Sequence, residues 1–221
     1  MRLLIACLAL SVLAACGRGV PPGAQVVVAG DSVMAWNRVE GGSVADRLAQ
    51  ELGIAVGDVS LPYAQVMGRA GALNIASQVR GLDAPWVVLD GGANDLGIGC
   101  SQTGSADVLD RLIAPDGLSG AIPEMVGGLT TGGGRVLWAD YYISPRFVGT
   151  ACAEVYALLE TRLERMAAAD PNVVLVDMED VMPATDRSLF ARDRIHPSQA
   201  GSARIATLIA QRLKAEDPDL R

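Results

Sequence analysis

Five short apolar runs constrain this chain more than any other feature. They are "AQVVVAG" (24–30), the weaker "IAVGDVSL" (54–61), "APWVVLDGG" (84–92), "GRVLWADYY" (134–142) and "NVVLVDM" (172–178). Each is continuous rather than alternating, as expected of a strand buried on both faces. Helical segments separate them. In "GSVADRLAQELG", Val44, Leu48 and Leu52 form one stripe and Gly53 is placed to cap its end. Residues 68–82 read as a helix weakened by glycines, and 106–132 as a helical region interrupted near Pro115 and Gly117. Residues 151–170 carry the clearest helical pattern, and a closing helix spans 197–216 with Pro197 suited to its first turn. Alternation of this kind predicts an α/β fold, a three-layer flavodoxin-like sandwich with a five-stranded parallel sheet.

The first residues stand outside that pattern. Arg2 precedes an apolar run, Leu3 to Leu13, too short to span a bilayer. It ends in Leu13-Ala14-Ala15-Cys16. This resembles the lipobox of bacterial lipoproteins, in which cleavage precedes the cysteine and lipid is attached to its thiol. The expected organisation is a signal peptide over 1–15, a lipidated Cys16 with a short tether to residue 24, and one domain over 25–221. Such a protein would sit in the bacterial cell envelope, lipid-anchored on the periplasmic or extracellular side of a membrane. The eight tether residues from Gly17 to Ala24 would span roughly 26–29 Å if fully extended.

The formal net charge is −7, and removal of Arg2 with the signal peptide makes it −8. With no basic run, nucleic acid is excluded as a partner, and an acidic surface gives no attraction to anionic lipid. Only 4% of residues are aromatic, so the core must be mostly Ala, Val, Leu and Ile. Two isolated cysteines, Cys100 and Cys152, and a single histidine lack the spacing of a metal site, and no metal or organic cofactor is expected.

In a parallel sheet, sites form at the carboxyl ends of the strands. Three polar clusters fall there: Gly30-Asp31-Ser32, Gly92-Ala93-Asn94-Asp95 and Asp193-Arg194-Ile195-His196. His196 is the one histidine of the chain. A neutral imidazole is the usual base for a serine nucleophile, so if a histidine activates Ser32 it is this one. Asp193 could fix its tautomer. Taken singly, each residue has an ordinary reading: Ser32 as a helix cap, Asn94 and Asp95 as loop formers, Asp193 as a turn residue.

Together the three blocks resemble those of the SGNH hydrolases of the GDSL esterase/lipase superfamily: "GDSV" for the first, "GAND" for the G-x-N-D block and "DRIH" for the D-x-x-H block. The resemblance implies Ser32 as nucleophile, His196 as general base and acid, and Asp193 as its partner. It also implies Asn94 and the Ser32 backbone N–H as oxyanion donors. Asp31 and Asp95 read as loop structure. One departure stands out. The family's glycine after the second strand, whose N–H completes the oxyanion site, is replaced in "DVSLPYAQVMG" by Tyr63 or Ala64, with Gly68 too late.

The expected function is serine ester hydrolysis of acetyl or short acyl esters, glycan- or lipid-linked. The alternatives are an O-acyltransferase of the same fold or a non-catalytic binding lipoprotein. Trp36, Asn37, Tyr141 and Tyr142 lie close enough to shape the substrate site, Trp36 and Tyr142 being the substrate-binding candidates. Cys100 follows the third strand and Cys152 the fourth, on loops of neighbouring strands at one sheet edge. The expected result is a Cys100–Cys152 disulfide.

Overall fold

A computed structural model describes residues 19–97, 100 and 105–220. The signal peptide and Cys16 lie outside the described residues. Five strands, β1 (Val26–Ala29), β2 (Val56–Asp58), β3 (Trp86–Leu89), β4 (Arg135–Asp140) and β5 (Val173–Asp177), form one sheet in the order β2-β1-β3-β4-β5. Every pairing is parallel. This is the flavodoxin-like order, whose connections reverse direction at β1 and β3 and leave a crevice above them.

The helices are α1 (Ser32–Ala35), α2 (Val44–Leu52), α3 (Ile75–Gln78), α4 (Ala93–Leu96), α5 (Ser105–Leu112), α6 (Ala121–Thr131), α7 (Ala151–Ala169) and α8 (Gln199–Glu216). α2 packs on α8, while α5 contacts both α6 and α7. Between them the strands are almost wholly buried: Val26, Val28, Val88, Leu89, Leu137 and Trp138 expose nothing. The stripe on α2 faces inward at Val44 and Leu48, Ser43 and Asp46 form a capping box, and Gly53 closes the helix at φ +71°.

Two expectations are revised in detail. The helix expected over 68–82 shrinks to α3, preceded by a single turn at Gly71–Leu73. Asn74 starts α3 by accepting a hydrogen bond from the Ser77 N–H, and glycines at positive φ, Gly71 and Gly81, bound the segment. At the closing helix Ser198, not Pro197, is the boundary: the Ser198 hydroxyl accepts from the Gly201 N–H and Pro197 stands one residue outside. The break at Pro115 and Gly117 separates α5 from α6 as expected.

Candidate active site

β1 ends on Gly30, where a β-carbon would lie 1.8 Å from Asp90 Oδ1. Glycine is therefore required for the two strand ends to approach. The Gly30 N–H donates to Gln78 Oε1 (2.8 Å) and the Asp31 N–H to Asp90 Oδ1 (2.8 Å). Asp31 then caps α1, its Oδ1 accepting from the Val33 N–H at 2.9 Å. Ser32 is thus the first residue of a helix that starts at the strand end, with its hydroxyl at the sheet rim.

His196 arrives from the opposite side of the crevice, on the turn before α8. Asp193 builds that turn by accepting the N–H groups of Ile195 (2.9 Å) and His196 (3.1 Å) through Oδ1. Its Oδ2 lies 2.6 Å from His196 Nδ1, and His196 Nε2 lies 2.8 Å from Ser32 Oγ. Burial pushes the Asp193 carboxyl up. The hydrogen bonds from the His196 ring and from the N–H groups of Ile195 and His196 outweigh it and hold the carboxyl below its ordinary value. A charged Asp193 keeps the ring proton on Nδ1 and leaves Nε2 as the acceptor facing Ser32. Trp36, one turn beyond Ser32, lies flat on the imidazole, with ring centroids 3.8 Å apart and planes within 5°.

Asn94 sits in α4, above the end of β3. Its amide donates to Ala64 O (2.9 Å), with a longer contact to Asp31 Oδ2 (3.4 Å). The short bond uses one amide hydrogen, and the longer contact to Asp31 leaves the other only weakly engaged. Asp95 accepts the N–H groups of Val66 (2.9 Å) and Met67 (2.8 Å), tying this block to the loop after β2. In that loop Tyr63 has φ +64°, the left-handed backbone that favours glycine, whereas Ala64 is fully buried. Of the two, Tyr63 thus has the backbone that favours glycine. Among the described residues, neither the Ser32 nor the Tyr63 N–H donates to a protein acceptor, so two backbone donors remain open beside Asn94.

Tyr141 and Tyr142 take different places. The Tyr141 hydroxyl donates to Asp31 Oδ2 (2.7 Å), next to Ser32 in the chain. The Tyr142 hydroxyl donates to Ile195 O (2.9 Å) and braces the histidine turn. Asn37 donates to Pro197 O (3.1 Å) and Ser202 Oγ (2.9 Å), outside the crevice. Sequence reasoning missed Asp90 and Gln78. Asp90 ends a strand and so carried a positional signal; Gln78 carried none. Burial, and then the adjacent Asp31 carboxylate, push Asp90 well above the ordinary range, and burial raises Asp31 as well. Two buried carboxyls this close favour sharing a single negative charge.

Ser32, Asn94 and His196 open on a cavity of about 220 Å³. Tyr141, Tyr142, Phe147 and Tyr156 line it together with Trp36 and Tyr63. A larger hollow of about 820 Å³ lies between α6 and residues 79–85, below the amino ends of β3 and β4. It holds none of these groups, so size alone would misplace the site. Cys100 and Cys152 form a disulfide with Cα atoms 4.8 Å apart, joining the loop after α4 to the start of α7. Among the described residues no cluster of three or more His, Cys, Asp or Glu side chains is arranged to hold a metal ion.

The profile of the GDSL-like lipase/acylhydrolase family matches residues 28–204. Solved structures share the fold at low identity. A protein of Slackia heliotrinireducens whose name places it among the SGNH hydrolases aligns with TM-score 0.56 and 18% identity, over 85% of this chain and 97% of its own. LAE5, an alpha/beta hydrolase enzyme from the metagenome of Lake Arreo, aligns with TM-score 0.62 and 20% identity, over 92% and 98%. An acetyl xylan esterase of Butyrivibrio proteoclasticus aligns with TM-score 0.60 and 13% identity, over 89% of this chain and 65% of its own. The comparison with curated proteins returned no match. The three blocks, the parallel sheet that carries them and the family match agree: the chain belongs to the GDSL-like lipase/acylhydrolase family and is an ester hydrolase of the SGNH type.

Proposed function

We propose that the protein is a lipid-anchored serine esterase of the bacterial cell envelope, acting on acetyl or short acyl esters. One observation carries the reading: His196 bridges Ser32 Oγ and Asp193 Oδ2 at 2.8 and 2.6 Å on the wall of an apolar pocket. Ser32 Oγ attacks the ester carbonyl carbon and its proton passes to His196 Nε2. The carbonyl oxygen becomes an oxyanion, met by the N–H groups of Ser32 and Tyr63 and by the Asn94 amide. His196 returns the proton to the departing alcohol, leaving an acyl group on Ser32. Water then attacks that acyl-enzyme with His196 again as base.

The pocket supports a short acyl group. Its volume of about 220 Å³ lies below the ~300–1,000 Å³ typical of sites for drug-sized ligands. The test is a panel of soluble esters from acetyl to long-chain, run on the chain lacking residues 1–16. Turnover that peaks at two to four carbons supports the reading, and turnover that rises to long chains contradicts it. The anchor is tested by growth in labelled palmitate. Label lost in Cys16→Ala supports it; label retained there contradicts it.

A further inference from the structure

The chain from Gly19 onward lies against the domain. Gly19 bridges Asp58 antiparallel, its carbonyl accepting the Asp58 N–H at 3.1 Å. From there residues 19–25 run down the outer edge of β2 and feed into β1, with Ala24 buried against Val27 and Ala84. Asp58 is the last residue of β2, level with Val28 near the end of β1. Gly19 therefore stands at the carboxyl rim of the sheet, the rim that holds Ser32. It also lines one shallow depression with Gly41, in the turn after α1. Cys16 and Gly19 are three steps apart in the chain, a reach of roughly 10–11 Å when extended, against about 26 Å or more for the whole tether.

The same rim carries exposed apolar side chains. Val20 (42% exposed), Val39 (95%), Tyr63 (68%), Leu73 (37%) and Val148 (59%) stand beside or on loops that follow the ends of β1, β2 and β4. The remaining large apolar residues exposed among the described ones are Leu118 and Leu158. Leu118 follows Gly117, which packs against Arg162 and Arg165 in the second half of α7, away from the rim. Charge on the rim is mixed: exposed Arg69, Arg146, Arg192 and Arg194 against exposed Glu40, Glu179 and Asp180. No helix among the described residues is long and apolar enough to cross a membrane.

We propose that this rim faces a phospholipid bilayer, held against it by the acyl chains on Cys16, so that the ester entering the pocket is presented at the membrane surface. The proposal rests on the lipid-anchored esterase reading. A short, rim-attached tether limits how far the mouth can turn from the bilayer. The apolar side chains at its margin gain from contact with the headgroup–acyl boundary.

The test uses the full chain, processed in cells and purified in its lipidated form, in vesicles of phosphatidylethanolamine and phosphatidylglycerol. A fluorophore is attached to Val39→Cys, Val148→Cys or Leu118→Cys, and quenching by spin-labelled lipid is compared. At least twofold stronger quenching at positions 39 and 148 than at 118 is expected. Equal quenching, stronger quenching at 118, or failure of the protein to float with the vesicles overturns the proposal. A second variant carries a twenty-residue Gly/Ser spacer between Arg18 and Gly19. Turnover of a vesicle-borne short-chain ester should fall several-fold while turnover of a dissolved ester holds; no change on the vesicle-borne ester contradicts the proposal. Rim quenching without any turnover of the dissolved ester would instead sink the esterase reading and leave the orientation standing.

Discussion

The two sides of the crevice are built differently. On the histidine side, short contacts link residues of one compact turn: Asp193 accepts two backbone N–H groups, holds the His196 ring at 2.6 Å and aims it at Ser32. On the Asn94 side, the proposed oxyanion site, Asn94 is held by Ala64, Asp95 by Val66 and Met67, and Tyr63 sits in a left-handed backbone conformation that costs a tyrosine roughly 1–2 kcal/mol. The first side is organised locally, within a turn whose Arg194 also takes a left-handed backbone at φ +60°. The second is assembled from two loops distant in sequence. Proton transfer tolerates little displacement, whereas an oxyanion site with several donors can lose one and still function.

Substitutions should separate the sides, in decreasing order of effect. Ser32→Ala and His196→Ala should each abolish nearly all ester hydrolysis, with the double variant little worse, because the groups act as a unit. Steady-state rates on a soluble acetyl or butyryl ester check this; substantial activity in either folded variant would break the contrast. Asn94→Ala should cost roughly 10²–10³ in kcat, and a loss as deep as that of Ser32→Ala would show the oxyanion side to be equally unforgiving. Removing the disulfide with Cys100→Ala and Cys152→Ala should lower stability by about 4 kcal/mol or less by loop-closure entropy across its 52-residue separation, read by chemical denaturation. An unchanged midpoint would contradict that. Tyr63→Gly should relieve backbone strain and raise stability by up to about 1 kcal/mol, with a smaller rate effect than Asn94→Ala. A fall in stability would mean that the tyrosine ring contributes more than the strain removes.

Asp90 gives the finest test. Its carboxyl is raised in the folded protein, first by burial and then by Asp31. The folded state therefore binds more protons than the unfolded chain above the ordinary Asp value. Stability should fall as pH rises from about 4 toward the raised folded value. Asp90→Asn keeps an oxygen acceptor for the Asp31 N–H and should flatten that decline. Equal slopes from denaturation at pH 5 to 8 would remove Asp90 as its source.

The same contrast explains what was legible in the sequence. The order and faces of the sheet followed from continuous apolar runs such as Val26–Ala29 and Trp86–Leu89, because strands buried on both faces leave that signature. The histidine turn was legible because Asp193 and His196 are three residues apart. Gln78 and the bond from Tyr141 to Asp31 were not, since each residue reaches its partner, Gly30 or Asp31, across the fold, and no local pattern encodes such a contact. The helix expected over 68–82 failed for a related reason. Glycines at positive φ and the tertiary use of Gln78 outweighed a weak helical periodicity.

The central claim is that Ser32 is an activated nucleophile rather than a helix residue that happens to face a histidine. A fluorophosphonate probe, read by intact mass and peptide mapping, tests it without knowledge of the natural ester. The account predicts stoichiometric labelling at Ser32 in the native protein, and labelling slowed by orders of magnitude in His196→Ala. A native protein that stays unlabelled, or one labelled equally fast without His196, would contradict it.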